Sequence, residues 1–131
     1  MRIVLDTNIF VSALVFPGGR ADEALRRVLE RRDDLIFSKA IISELLEVLS
    51  RKFERDKEAL SRIAVFLSEM GEMVHPHRKR AVLEDEPDNR ILECALSGKA
   101  ELIVTGDRAM LNLVKYDGIK IVSLKASLDL P

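Results

Sequence analysis

Four carboxylates, Asp6, Glu44, Asp88 and Asp107, stand where apolar strand-like runs end or where helix-like runs begin. Asp6 closes Arg2-Ile3-Val4-Leu5 and is followed by Thr7 and Asn8; Asp107 follows Leu102-Ile103-Val104-Thr105-Gly106. In a parallel α/β sheet, the carboxyl ends of strands and the amino ends of the following helices share one edge, where ligands bind. Asp6, Asp88 and Asp107 therefore belong to one side of the molecule. Glu44 lies in the second turn of the helix after the second strand and reaches the same edge. A helical wheel puts it beside Ile41 and Val48 at the margin of the apolar face, whereas Glu47 points outward.

Carboxylates held together repel one another unless a cation or protons intervene. A hard divalent ion such as Mg²⁺ takes oxygen ligands and keeps several waters, which suits one or two carboxylates plus a substrate phosphate. Such an ion activates water, orients the phosphate and stabilises charge on the leaving oxygen, so the pattern points to metal-assisted phosphodiester hydrolysis. Thr7, Asn8 and Thr105 carry groups that can hydrogen-bond the acids or a bound water. Each of these residues also has a purely structural use. Asp6 and Asp107 are good helix N-caps, and Asp88, in a first helical turn, gains roughly 0.3–1 kcal/mol from the helix dipole. Glu44 can serve as a surface glutamate, and Thr7, Asn8 and Thr105 suit turns and caps. Convergence on one edge is what favours a site.

The elements that must position these residues alternate along the chain. Strands are expected at Arg2–Leu5, Leu35–Phe37, Met73–His75, Leu102–Thr105 and Ile119–Val122. Between them, Asn8–Phe16 opens as a helix broken by Pro17-Gly18-Gly19. Arg20–Arg32 is amphipathic, with Ala24, Leu25, Val28 and Leu29 on one side. Ser38 is placed to cap a helix running to about Phe53, and a further helix from about Asp56 to Met70 stops at Gly71. A helix starts near Pro87-Asp88 and carries Ile91, Leu92, Ala95 and Leu96, and a short one covers Arg108–Val114. Alternating strands and helices mean a parallel sheet with helices on both faces. The expected architecture is one three-layer α/β/α domain over residues 1–131, with a central, mainly parallel, five-stranded sheet.

Composition agrees with a globular chain: 131 residues, 47% hydrophobic, are enough to bury a core. Lys and Arg number 21 against 22 Asp and Glu, for a net charge of -1. No general basic field draws nucleic acid to the surface, and such binding requires a local patch. The lone Cys94 excludes an internal disulfide and fits a reducing compartment. The first residues lack the apolar core of a signal peptide, and no apolar run approaches the roughly 18 residues of a membrane helix. A cytoplasmic protein with no membrane partner is the expectation.

At the residues that carry the chemistry, the chain resembles the PIN-domain family, also called PilT N-terminus domains. The resemblance runs through Val4-Leu5-Asp6-Thr7-Asn8 and Ser43-Glu44-Leu45-Leu46-Glu47-Val48-Leu49. It continues through Asp85-Glu86-Pro87-Asp88-Asn89-Arg90-Ile91-Leu92-Glu93-Cys94-Ala95 and Leu102-Ile103-Val104-Thr105-Gly106-Asp107, in the family's order. It implies a Mg²⁺- or Mn²⁺-dependent ribonuclease acting on RNA, with an acidic pocket on a small parallel sheet. Many single-domain members resemble toxins of prokaryotic toxin–antitoxin pairs, which brings an antitoxin protein and a homodimer into the expectation. By position, Asp6, Glu44, Asp88 and Asp107 match the family's catalytic acids, with Asp6, Asp88 and Asp107 as metal ligands. Thr105 matches its small hydroxyl residue before the last acid. Asp85, one helical turn before Asp88, is an alternative third acid. Ala126–Pro131 leaves little chain for a final helix or for a dimer surface built from it.

Other residues are weighed on their own chemistry. His77-Arg78-Lys79-Arg80 is the densest basic cluster and follows the third strand, so it emerges at the acidic edge. Arg78, Lys79 and Arg80 are candidates to contact RNA phosphates, against the plainer reading of a solvated loop. His75 and His77 have no cysteine nearby and make a poor zinc site. Cys94 sits among Ile91, Ala95 and Leu96 and belongs to the core rather than to nucleophilic chemistry. An exposed part of Asn8–Phe16 can serve a dimer contact. Two rival functions remain. A catalytically silent RNA- or protein-binding module would be marked by a lost acid, and all four are present. A phosphatase of the haloacid-dehalogenase type needs a second aspartate two residues after the first, where Asn8 stands. A receiver domain would need its acceptor aspartate at the end of an internal strand, and the sequence offers none there.

Overall fold

In the computed structural model, which describes residues 1–131, strand β1 (Arg2–Leu5) runs through the middle of the molecule with Ile3, Val4 and Leu5 all buried. A strand covered on both faces needs such an unbroken apolar run. It is followed by α1 (Thr7–Val15), α2 (Arg20–Glu30), β2 (Asp34–Ser38), α3 (Lys39–Phe53), α4 (Lys57–Met70) and β3 (Glu72–Val74). Then come α5 (Glu86–Ser97), β4 (Leu102–Val104), α6 (Arg108–Leu111), β5 (Lys115–Tyr116), β6 (Ile119–Val122) and α7 (Leu124–Leu128). The strands form one sheet in the order β3-β2-β1-β4-β6-β5, parallel throughout except for the β5–β6 pair.

That order fixes where chemistry can occur. From β1 the chain winds outward to β2 and β3 on one side, and β4 and β6 build the other. The reversal falls between β1 and β4, and a crevice opens at their carboxyl ends. Leu5 is in register with Val104, so the next residues, Asp6 and Thr105, face each other across it.

Helix ends follow local sequence rules. Asp6 caps α1, Ser38 caps α3 by accepting from the Ile41 amide, and Asp56 caps α4 by accepting from the Ala59 amide. α5 is buried around most of its girth at Ile91, Leu92, Glu93, Cys94 and Ala95, and it packs on β1, β2 and α3. Gly71, between α4 and β3, is required by space. A Cβ there would stand 2.5 Å from Phe37 Cε1 and 2.7 Å from the Leu35 carbonyl oxygen. One continuous core includes Phe10, Phe37, Leu45, Leu49, Leu67 and Leu92. No helix is long and apolar enough to cross a membrane.

Three local expectations change. The sheet has six strands rather than five, because Lys115–Tyr116 pairs antiparallel with β6. The turn joining them is Asp117-Gly118, both at positive φ (47° and 84°), the backbone that a two-residue hairpin favours. The helix expected over Arg108–Val114 ends at Leu111, and Val114 itself has φ 62°. The C-terminus does form a helix: it begins at Leu124, where Ser123 accepts from the Ala126 amide, and packs on α2, whose Arg27 guanidinium donates to the Leu128 carbonyl.

Candidate active site

Asp6 stands immediately beyond β1 and is 5% exposed. Its two oxygens have separate uses. Oδ1 accepts from the Asn8 amide at 3.4 Å, and Oδ2 accepts from the Thr105 hydroxyl at 2.6 Å. The Thr105 oxygen in turn accepts from the Asp107 amide at 3.0 Å, and Asp107 Oδ2 caps α6 at the Met110 amide, 2.9 Å away. A fully buried threonine thus ties the acid after β1 to the acid after β4. The capping and the site-building readings of Asp6 and Asp107 hold together, because each caps with a single oxygen. Asn8 contributes its backbone; its side chain is exposed.

Asp88, in the first turn of α5, is 6% exposed, and its Oδ2 is buried without any hydrogen-bond partner. Burial pushes its carboxyl up to about 7, and the neighbouring charges of Asp107, Asp85 and Asp6 act in the same direction. Asp6 is also raised, chiefly by burial, with the Thr105 hydrogen bond opposing and Asp107 adding repulsion. Glu44, half-buried on α3, is raised by burial and by the charges of Asp6, Asp85 and Glu47. The Thr7 hydroxyl faces Glu44 closely enough to oppose that rise, yet it is buried and makes no hydrogen bond. Asp85, an exposed residue at the start of α5, uses no side-chain atom as a cap and adds its charge to Asp88 and Glu44 alike. None of these five acids is in an ion pair.

The donor set is all oxygen: carboxylates, with threonine hydroxyls beside them. No group of three acid, histidine or cysteine side chains is gathered tightly enough to ligate one ion unaided. Buried, unpartnered Asp88 Oδ2 and Thr7 Oγ1 nevertheless lack a partner that a hydrated hard cation would provide, so the residues fit Mg²⁺ or Mn²⁺ held partly through water.

Sequence reasoning missed the residues that fasten the segment before α5 to that helix. Asn89 is 3% exposed; its side-chain oxygen accepts from the amides of Val82 (3.0 Å) and Leu83 (2.9 Å), and its Nδ2 donates to the Leu83 carbonyl (2.8 Å). Glu93, also buried, accepts from the Arg80 amide at 2.6 Å and pairs with Arg90 at 2.7 Å. The available signal was position: both fall among the apolar residues of α5, where an unpartnered polar group would be costly. Of the basic cluster, His77, Arg78 and Lys79 are exposed, and Arg80 is half-buried with its backbone engaged by Glu93 and Arg90. Cys94 is fully buried beside Ser38 and burial pushes its thiol up to about 12, so it is inert core.

The chain and its fold find counterparts among known proteins. A family model for the PIN domain matches residues 2–109, and the chain belongs to the PIN-domain family. It is 30% identical, over 132 aligned positions, to the uncharacterized protein MJ1680 of Methanocaldococcus jannaschii, spanning 95% of this chain and 84% of that one. Its fold is similar to VapBC2 from Rickettsia felis, solved bound to a DNA fragment from their promoter (TM-score 0.69, 18% identity, 94% of this chain and 98% of that one). It is likewise similar to VapBC-1 from nontypeable Haemophilus influenzae (TM-score 0.66, 18% identity, 95% of this chain and 99% of that one). At such identities the likeness speaks for the fold.

Proposed function

We propose that the chain is a divalent-metal-dependent endoribonuclease, the toxin member of a toxin–antitoxin pair. The observation that carries this reading is the crowding of Asp6, Asp88 and Asp107 at the β1/β4 crevice, with Asp88 buried, unpartnered and pushed up to about 7. Unpaired like charges of that kind are kept where a cation is to be bound. Asp6, Asp88 and Asp107 would hold Mg²⁺ or Mn²⁺, which supplies water activation and neutralises charge on the phosphate. Thr105 orients Asp6 through its 2.6 Å hydrogen bond. Glu44, with its raised affinity for protons, is suited to take the proton of the attacking water.

Membership of the PIN-domain family and likeness to VapBC structures support an antitoxin partner. A homodimer has apolar surface to use, since Phe16 at the end of α1 and Val65 and Phe66 on α4 are exposed. We also propose a cytoplasmic location, which the single free cysteine supports. The test is cleavage of a structured RNA pool by wild type and Asp6→Asn, each with Mn²⁺, Mg²⁺ or EDTA. Metal-dependent products from wild type alone are expected. Equal activity in the mutant would sink the assignment, and no cleavage by either would favour a silent binding module.

A further inference from the structure

A cavity of about 360 Å³ opens where β2 passes into α3 and the chain leaves β3. Lys39, His75, Arg78, Lys79 and Arg90 line it, and Glu93 is its only acid. Glu93 is already engaged, accepting from Arg90 and the Arg80 amide. Lys39, Arg78 and Lys79 form no ion pair, so the cavity carries a net excess of positive charge. The Arg90 Nε is buried and without a partner. The first turn of α3 adds the positive end of a fifteen-residue helix.

This cavity adjoins one that reaches Glu44. Ala40 and Arg90 line both it and a second cavity of about 470 Å³ whose wall includes Glu44. A strand passing Glu44 would cross Ala40 and Arg90 to reach the basic cavity. We propose that the cavity formed by Lys39, His75, Arg78, Lys79 and Arg90 is a phosphate subsite, holding a backbone phosphate of the same RNA strand away from the scissile bond. The inference rests on the ribonuclease reading and adds to it a specific path and three residues, Lys39, His75 and Arg90, outside the basic run. Phosphate contacts fix register and carry no sequence information, so the subsite sets where a strand is cut relative to its end rather than which bases are read.

The test compares wild type with a Lys39→Ala/Lys79→Ala double variant and, as a control of equal charge, Lys115→Ala/Lys120→Ala on β5 and β6. Binding of a short single-stranded RNA is measured against salt in Ca²⁺. Cleavage is measured in Mn²⁺ on that RNA and on bis(p-nitrophenyl) phosphate, an ester small enough to reach the acids alone. The Lys39/Lys79 variant should bind RNA about 10-fold more weakly at low salt, with a salt dependence shallower by about one unit. It should raise KM for RNA and leave hydrolysis of the small ester unchanged. Affinity and salt slope equal to wild type, or an equal loss in the control, overturn the subsite. Tight binding of a glutamate-rich peptide that only the Lys39/Lys79 variant loses, with RNA affinity intact, overturns it in favour of a protein dock. If wild type hydrolyses neither substrate, the ribonuclease reading falls by itself, and the RNA-binding arm still decides the cavity.

Discussion

The two edges of the sheet treat charge in opposite ways. At the amino edge, Arg2 donates to the Gly98 carbonyl at 2.7 Å and pairs with Asp34 at 3.4 Å and Glu72 at 2.6 Å, joining β1, β2 and β3. Asp33 pairs there with the terminal amine at 3.2 Å and with Arg31 at 2.9 Å. At the carboxyl edge, Asp6, Glu44, Asp85, Asp88 and Asp107 share no cation among them. One sheet carries both arrangements, with the paired charges largely exposed at Asp34 and Glu72 and the unpaired ones buried at Asp6 and Asp88. One edge is composed for folding, and the other departs from that rule, as the proposed site would.

Breaking the carboxyl edge should have the largest effect. Asp6→Asn is expected to lower metal-dependent RNA cleavage by more than about 100-fold, since even partners one step removed from a metal cost about 10–100-fold. Its melting temperature should stay at or above that of wild type. Thr105→Val follows, with a loss of about 10–100-fold in kcat as Asp6 loses its anchoring donor. Steady-state kinetics separate that loss from a rise in KM.

The third prediction concerns pH without metal. Asp88 is raised from 3.8 to about 7 in the folded state, so between those values the native protein binds more protons than the unfolded chain. This group therefore stabilises the fold most at low pH, and that contribution is lost as pH rises toward and through 7. Melting of metal-free protein should fall by a few degrees between about pH 5 and pH 8. Asp88→Asn should remove much of that slope and melt higher at the alkaline end, and Mg²⁺ should raise wild type there by binding the native state alone. A flat profile in wild type would contradict the crowding argument. Smallest is the amino edge. Arg2→Ala should cost about 1–2 kcal/mol in urea unfolding, because its ion pairs are exposed and worth little and its carbonyl contact adds about one hydrogen bond. RNA cleavage should be untouched.

Most of the fold was readable because its strands are apolar runs of unambiguous length. Ile3–Leu5 and Leu102–Val104 are bounded by Asp6 and by Thr105-Gly106, and Leu35–Phe37 ends at a capping serine. The missed strand, Lys115–Tyr116, is two residues long and has no periodicity to read. Its one sign was the Asp117-Gly118 pair, a hairpin-turn dipeptide. The edge on which the acids lie followed from topology, because every strand but one runs parallel. What sequence could not give was Asn89 and Glu93 fastening the chain before α5, since those bonds reach back to backbone groups at Arg80, Val82 and Leu83 whose conformation is irregular.

The hydrogen bond from Thr105 to Asp6 spans 99 positions of the chain. Asp6 is made well before its partner strand β4, which does not exist until residues 102–104 have been added. A chain emerging from the ribosome therefore carries Asp6 through the addition of 99 further residues before it meets the threonine that orients it. Any activity that needs these acids together is withheld until β4 and Asp107 have been added.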